Sequence, residues 1–491
     1  MTQLPLFLAQ IKLQDNSTHN INNLRGSCFL NMGISTTFHF LDVNQTQLKA
    51  KFYVHLHGQT KDLLCIEHLM VGTTFQSNYQ FFMTKGEKYF ELEFTKYTDI
   101  LDLHKNGIQF FTFCQTWQDM IPSTLETMSI FAGGLGLSRY IPTMGDHITD
   151  YQRDMNIEYL EKQLGLKLEQ RIIDTVEIDK SLIKSGDLFL VRRLDGVQPF
   201  TMVASGSLVG HAAMALWQDD VLWVVESQDA LYFESGKKGI QKNKFEEWMQ
   251  LAEYADYDVV WIKMKQTLRA KNFDLLKAWK FFDLHEGNPY GHRQQIFAII
   301  DTLDQNYPLP IEKEGVGMLV KHISELYPEA FNSLFKPGMK RRLGLVGDEY
   351  QTFEEVFIRS IVEDNTTIPE ILAQPEEDVW TYHDDNGLIT KPQYSSSTFI
   401  VALYKAAGMF PNVKINAQEF TMRDVYQLDF FDKKKSQRPK QCQEADPHVE
   451  YCQLMGDFRI HLPGFSTIKP YDNMNEKCGS LAYFQQREEG C

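Results

Sequence analysis

No stretch of this 491-residue chain is long and apolar enough to span a bilayer, which argues against an integral membrane protein. Basic charge is scarce as well. Forty-nine Lys and Arg stand against 65 Asp and Glu, a formal net charge of −16. A nucleic-acid backbone is therefore not an expected partner, because counterion release needs a basic surface. The notable basic runs, Lys340-Arg341-Arg342 and Lys433-Lys434-Lys435, are short and flanked by acidic or apolar residues, as solvated faces are. None of the seven cysteines falls in a CxxC pair, so zinc is not expected, and nothing in the chain calls for another metal or an organic cofactor. A phosphate loop is missing too: the glycines of AGGLGLSRYIP (132–142) are not followed by Lys-Ser/Thr.

Aromatic residues, by contrast, make up 13% of the chain, with 34 Phe and 21 Tyr. That composition favours β structure and a folded chain, and the length allows two or three cored domains. Cys28, Cys65 and Cys114 are scattered in the first quarter, whereas Cys442, Cys452, Cys478 and Cys491 crowd the last fifty residues. Four cysteines in a loop-rich tail suit a disulfide-pinned extension, with three pairings open. This leans towards an oxidising compartment, secreted or endomembrane lumen, with an intracellular assembly as the alternative. The sequons at Asn16, Asn44 and Asn365 are no more than chance supplies, and Leu4–Ala9 is short for a signal core.

Residues 1–25 read as a polar N-terminal tail or peripheral strand. From 26 to 118 the hydrophobic period is two: in KAKFYVHLHG, Phe52, Val54 and Leu56 alternate with Tyr53, His55 and His57. In KGEKYFELEF, Phe90, Leu92 and Phe94 alternate with glutamates after a Lys85-Gly86-Glu87 turn, a hairpin pattern. With IQFFTFC (108–114) these strands predict an all-β, sandwich-like domain. His55 and His57 share a strand face and have no third ligand, so an exposed face explains them. Residues 119–180 form a linker with one helix, ITDYQRDMNIEYLEKQLG, and 181–410 a second, α+β domain. Its strands are GDLFLVRR (186–193), VGHAAMALWQ (209–218), VLWVVESQ (221–228) and VVWIKMK (259–265), with KFEEWMQLAEYA helical before the last. A helical insertion occupies about 270–380, including a Gly287–Gly291 turn and a Pro308–Pro310 break, and His383–Gly387 reads as a further turn. Residues 411–491 are a Cys-rich extension.

Two features carry chemistry. Asp219-Asp220 suits a two-residue hairpin turn, and pairing Gln218 with Val221 sets His211 opposite Gln228 and Ala213 opposite Glu226. His211 and Glu226 then share a face, diagonal neighbours about 7–8 Å apart, from which a carboxylate can orient an imidazole. The plainer reading is a satisfied strand histidine beside an unrelated glutamate. The second feature is QYSSSTFIVALYKAAGMF (393–410), where three serines open a short apolar helix. Ser395 or Ser397 suits the cap; Ser396 sits where the helix dipole supports a nucleophile. His285 and His292 flank the Gly287–Gly291 turn, packed, exposed or lining the same cleft.

The order Gly186-Asp187, His211, Glu226 and then a distant nucleophile helix resembles the circularly permuted NlpC-like papain-fold hydrolases and acyltransferases. That superfamily includes YiiX-like and lecithin:retinol acyltransferase-like proteins. The closer resemblance is to a eukaryotic branch marked by GNPYG (287–291), an IxT-type segment (Ile300-Asp301-Thr302), Y-S-C-S-[ST]-F before LYKAAG, EFT-x-x-DVY-x-LDFFD (419–432), and a tail with HLPGFSTIKPY and MNEKC. It covers roughly residues 180–480. The resemblance implies a permuted papain-like α+β fold and a cysteine hydrolase or acyltransferase acting on amide or ester bonds. This chain reads Y-S-S-S-T-F, with Ser396 where the family has its cysteine. A thiol of pKa about 8.5 is readily ionised beside a histidine, whereas an alcohol needs concerted base help and an oxyanion hole. The expectation is a catalytically degenerate member acting through binding or assembly with other proteins. The alternatives are an active amidase or esterase using Ser396, His211 and Glu226, and a structural subunit of a larger assembly, its oligomeric state open.

Overall fold

The computed structural model describes residues 6–13, 18–59, 65–113, 147–228, 239–292, 295, 297–298, 313–345, 350–364, 366–372, 374 and 392–472. They form helices and sheets in two compact units. One spans Met1–Thr127, Thr302–Gln374 and Gln485–Cys491; the other spans Met128–Asp301 and Pro375–Phe484. Several features of the sequence lie outside the described residues. These are the glycines of 132–142, Asn16 and Asn365, Ile300–Thr302, Pro308–Pro310, the 383–387 turn, MNEKC, and Cys114, Cys478 and Cys491.

The first unit is built on two antiparallel four-stranded sheets. One has the order β1 (Leu6–Ile11), β8 (Ile108–Thr112), β5 (Glu67–Gly72), β6 (Ser77–Phe82). The other has β2 (Thr18–Leu24), β3 (Phe29–Phe40), β4 (Leu48–Gln59), β7 (Gly86–Phe94). The alternation expected from the sequence fills one core between them: Phe52 stacks on Phe90 at 4.7 Å and meets Phe110 of the other sheet edge-on at 5.9 Å. One expectation is narrowed and one is corrected. Of the tail or peripheral strand expected over residues 1–25, the described residues form edge strands, β1 of one sheet and β2 of the other. The Lys85-Gly86-Glu87 turn is not a hairpin, because β6 pairs with β5 while β7 pairs with β4, so the chain there crosses between sheets. Period-two patterning shows which face is buried but not which strand is the partner.

Helices α1 (Tyr97–Asn106), α5 (Lys313–Leu326) and α6 (Phe353–Val362) belong to this unit. Thr352 and Glu355 form a capping box at the start of α6, and Phe357 packs on Phe75 at 5.2 Å. The helical insertion expected over 270–380 is thus divided. Its Thr302–Gln374 portion completes the N-terminal unit.

A fully buried carboxylate pins the 26–28 loop. Glu67 accepts hydrogen bonds from Ser27 N and Oγ (3.1 and 3.2 Å), Cys28 N (2.8 Å) and Thr112 Oγ1 (2.7 Å). A Cβ on Gly26 would come within 2.3 Å of that carboxylate, which is why glycine stands there. The Cys28–Cys65 disulfide lies beside it.

The neighbouring His68 is buried, with its ring against Phe113 (4.3 Å) and Phe81 (4.6 Å), and burial pulls its pKa down to about 4. The unfolded chain takes up a proton near the ordinary value of about 6.5 and the folded one only near 4. Acid therefore favours unfolding: the stability contributed by neutral His68 is full above about pH 6.5 and is lost as pH falls towards 4. Thermal unfolding followed across that range is expected to show the wild-type midpoint falling by several degrees more than that of His68→Phe; parallel curves would contradict it.

The second unit centres on an antiparallel six-stranded sheet, in the order β12 (Gly239–Lys244), β11 (Val221–Gln228), β10 (His211–Gln218), β9 (Leu188–Arg192), β13 (Asp258–Ile262), β14 (Cys452–Met455). β14 corrects the idea of a C-terminal extension: part of the Cys-rich segment is a strand of the main sheet, with Cys452 disulfide-bonded to Cys442. The helix read as a linker is α2 (Asp150–Leu164), capped by Thr149 and Gln152, with Leu160 and Leu164 in a core with Met202 and Leu208. One face of the sheet, with Ala212, Met214, Leu216 and Val225, packs against α4 (Leu275–His285) and α7 (Ser396–Ala406). The other face, with Val191, Ala213, Ala215 and Val224, packs against α3 (Phe245–Tyr254).

Gly186-Asp187 ties these layers together. The buried Asp187 carboxylate accepts Lys184 N (2.9 Å), Met264 N (2.9 Å) and Trp261 Nε1 (3.1 Å), and pairs with Arg269. Burial pushes its carboxyl up, opposed by the Arg269 charge. Tyr404 of α7 donates to Gly186 O at 2.8 Å.

Candidate functional site

The β10–β11 hairpin has the register that the two-residue turn requires. Gln218 pairs with Val221 and Met214 with Val225, and both Asp219 and Asp220 take positive φ (50° and 61°), the type I′ geometry. This register brings His211 and Glu226 together: His211 Nε2 lies 2.7 Å from Glu226 Oε2. Trp248 Nε1, from α3, donates to the same oxygen at 3.3 Å. Nε2 is the ring nitrogen that faces the carboxylate. His211 is 5% exposed and Glu226 fully buried. Gln241 of β12 stands directly opposite Glu226, also buried. Neither its amide nor Glu226 Oε1 has a hydrogen-bond partner among the described residues.

The serine helix is built by its own N-terminus. Ser395 is the cap, its side chain accepting Thr398 N at 3.4 Å, and its hydroxyl also lies 3.2 Å from those of Ser397 and Thr398. Ser396 is the first helical residue and is 2% exposed. Tyr394, just upstream, is held twice through its carbonyl, by Ser227 Oγ at 2.6 Å and by Gly291 N at 2.9 Å. The Gly287–Gly291 turn that supplies Gly291 also pairs with β12, through Ile240 N to Asn288 O at 2.9 Å and Gly287 N to Ile240 O at 2.8 Å. That approach explains Gly239: it has φ 74°, and a Cβ there would sit 1.8 Å from Asn288 O.

Ser396 is not joined to the other two residues. His211 pairs with Val191, and Glu226 meets Trp248, so both belong to the α3 side of the sheet. Ser227, the next residue after Glu226, points to the opposite side and grips the approach to α7. Among the described residues no hydrogen bond links Ser396 to His211. Of the expected Ser396–His211–Glu226 triad, the described residues join His211 to Glu226, while Ser396 opens α7 at the same end of the sheet. The physical reason is strand alternation: residues one apart face opposite ways. Sequence reading missed Trp248, Ser227, Asn288 and Gln241. The parity of Ala212, Met214 and Leu216 against His211 was the signal available for the separation.

On the α7 side the polar group is different. Asn288 Nδ2 lies 3.0 Å from His285 Nδ1. His285 lies tilted against Phe281 (4.4 Å) and meets Tyr394 edge-on (5.3 Å), and burial pushes its pKa down. It is a packed histidine. His292 has its ring beside Tyr290 at 4.9 Å. His55 on β4 lies 3.4 Å from Glu87, and among the described residues no group of three or more His, Cys, Asp or Glu is placed to hold a metal ion. No helix among them is long and apolar enough to cross a membrane.

Removing one member of the buried pair should cost far more than removing both. His211→Ala leaves the Glu226 carboxylate with Trp248 alone and is expected to destabilise the unit by about 3 kcal/mol, while His211→Leu with Glu226→Leu regains at least half of that. Urea unfolding measures both; equal losses would show that the charge is not what matters. No family model, curated protein or solved structure matches the chain.

Proposed function

We propose that the chain is a catalytically degenerate relative of the permuted papain-fold hydrolases, acting through binding or assembly with other proteins. The observation that carries this reading is the unengaged serine. The imidazole–carboxylate pair is intact at 2.7 Å, yet the residue at the nucleophile position opens a helix on the other side of the sheet with no hydrogen bond to it. An alcohol must lose its proton to a base within one hydrogen bond or one water as it attacks, and a helix dipole does not replace that base. Burial of Ser396 and His211 supports the same reading, since a substrate carbonyl needs a route to both. The pair then serves as a buried polar contact that fixes β10, β11 and α3. The two disulfides among the described residues fit an oxidising compartment, secreted or luminal.

Two labelling experiments test this. A fluorophosphonate, which modifies activated serines, is expected to leave Ser396 unlabelled by peptide mass spectrometry; an adduct at Ser396 would establish the serine amidase or esterase instead. In Ser396→Cys, iodoacetamide at about pH 7 is expected to react no faster than with an ordinary thiol of pKa about 8.5. Labelling faster by about tenfold or more would mean that the pocket still ionises a thiol and would overturn the degenerate reading.

A further inference from the structure

The edge strand β12 alternates between the two sides of the sheet, and Lys242 falls on the side of α4, opposite Val225 and diagonal to Trp223. A lysine that merely lays its stem over apolar surface carries its ammonium on into water. Lys242 does not. Its Nζ lies 5.3 Å from the ring centroid of Trp223, 5.3 Å from Trp279 and 5.2 Å from Phe282. Trp279 and Phe282, both on α4, stand nearly perpendicular (85°) with centroids 5.6 Å apart, so they form two walls of a corner rather than one flat surface. Phe282 is fully buried and Trp279 nearly so, with its Nε1 donating to Trp217 O at 3.0 Å, so the walls cannot swing away.

We propose that this corner is an ammonium-binding aromatic cage, occupied in the native chain by Lys242, which accepts a quaternary ammonium ion when the lysine is removed. Three rings around one cation offer their negative faces together. The same arrangement recognises a quaternary ammonium through charge and contact rather than through donated hydrogen bonds. In the native protein the internal cation clamps β12 to α4, and β12 is the strand that carries Gln241 opposite Glu226 and receives the Gly287–Gly291 turn. Neither His211 nor Ser396 is part of the cage.

The probe is tetramethylammonium chloride, with sodium chloride at equal concentration as control. Lys242→Ala is expected to lower the thermal midpoint of the full chain by about 3–6 °C. About 100 mM tetramethylammonium is expected to raise the variant's midpoint by about 2 °C or more over sodium, with no such difference in the wild type. Coincident melting curves in the two salts would overturn the proposal. Should Lys242→Ala fail to fold, a double-mutant cycle decides, using Lys242→Met, which keeps the stem, and Trp223→Leu, a half-buried position. Coupling between the two substitutions supports the cage, and strict additivity refutes it.

Discussion

Each residue of the β10–β11 hairpin is committed by strand alternation to one of two covers, and the second unit is organised by that commitment. Ala212, Met214, Leu216 and Val225 go to the side of α4 and α7; Ala213, Ala215 and Val224 go to the side of α3. Polar residues obey the same rule at greater cost, since a buried polar group needs a partner on its own side. Glu226 finds His211 and Trp248, and Ser227, one residue on, finds the Tyr394 carbonyl. Two residues adjacent in sequence thus serve two separate polar contacts, with the sheet between them.

Buried charges then attach the irregular chain to this sheet. Asp187 gathers a loop, the end of β13 and Arg269 at the entry to β9. Arg192 pairs with Asp258 across β9 and β13, and also donates to Phe458 O at 2.8 Å. Arg171 pairs with Asp446 and donates to Gln453 O, holding residues 169–171 against the C-terminal segment. Such pairs contribute little net stability compared with well-packed apolar groups, but each leaves one arrangement in which all the charges are met. That is how a segment with little regular structure of its own becomes an integral part of the unit. Glu67 does the same in the first unit for the loop at Ser27 and Cys28.

Much of the local structure was legible. The alternation in β4 and β7, the strand runs of β10 and β11, the α3 segment, the two-residue turn at Asp219-Asp220 and a serine cap before α7 all follow from periodicities and turn chemistry acting over a few residues. Partnership was less legible. Nothing within KGEKYFELEF says that its turn joins two sheets, and nothing within the first 25 residues says that they supply two strands. The return of Thr302–Gln374 to the N-terminal unit depends on contacts hundreds of residues away in sequence. For the candidate site, the His211–Glu226 pairing was readable because both residues lie on one hairpin, whose register the turn sets.

The place of Ser396 was not readable in that way. By itself the sequence determined the helix and its cap, because those are properties of eleven consecutive residues and the one before them. Only the tertiary structure decided which side of the sheet the helix covers. That choice was made by Phe399, Ile400 and Leu403 packing against Met214, Leu216 and Val225, and by Ser227 and Gly291 holding the Tyr394 carbonyl. Hydrophobic burial has no direction along the chain, so a helix segment states that it must be covered without stating by what.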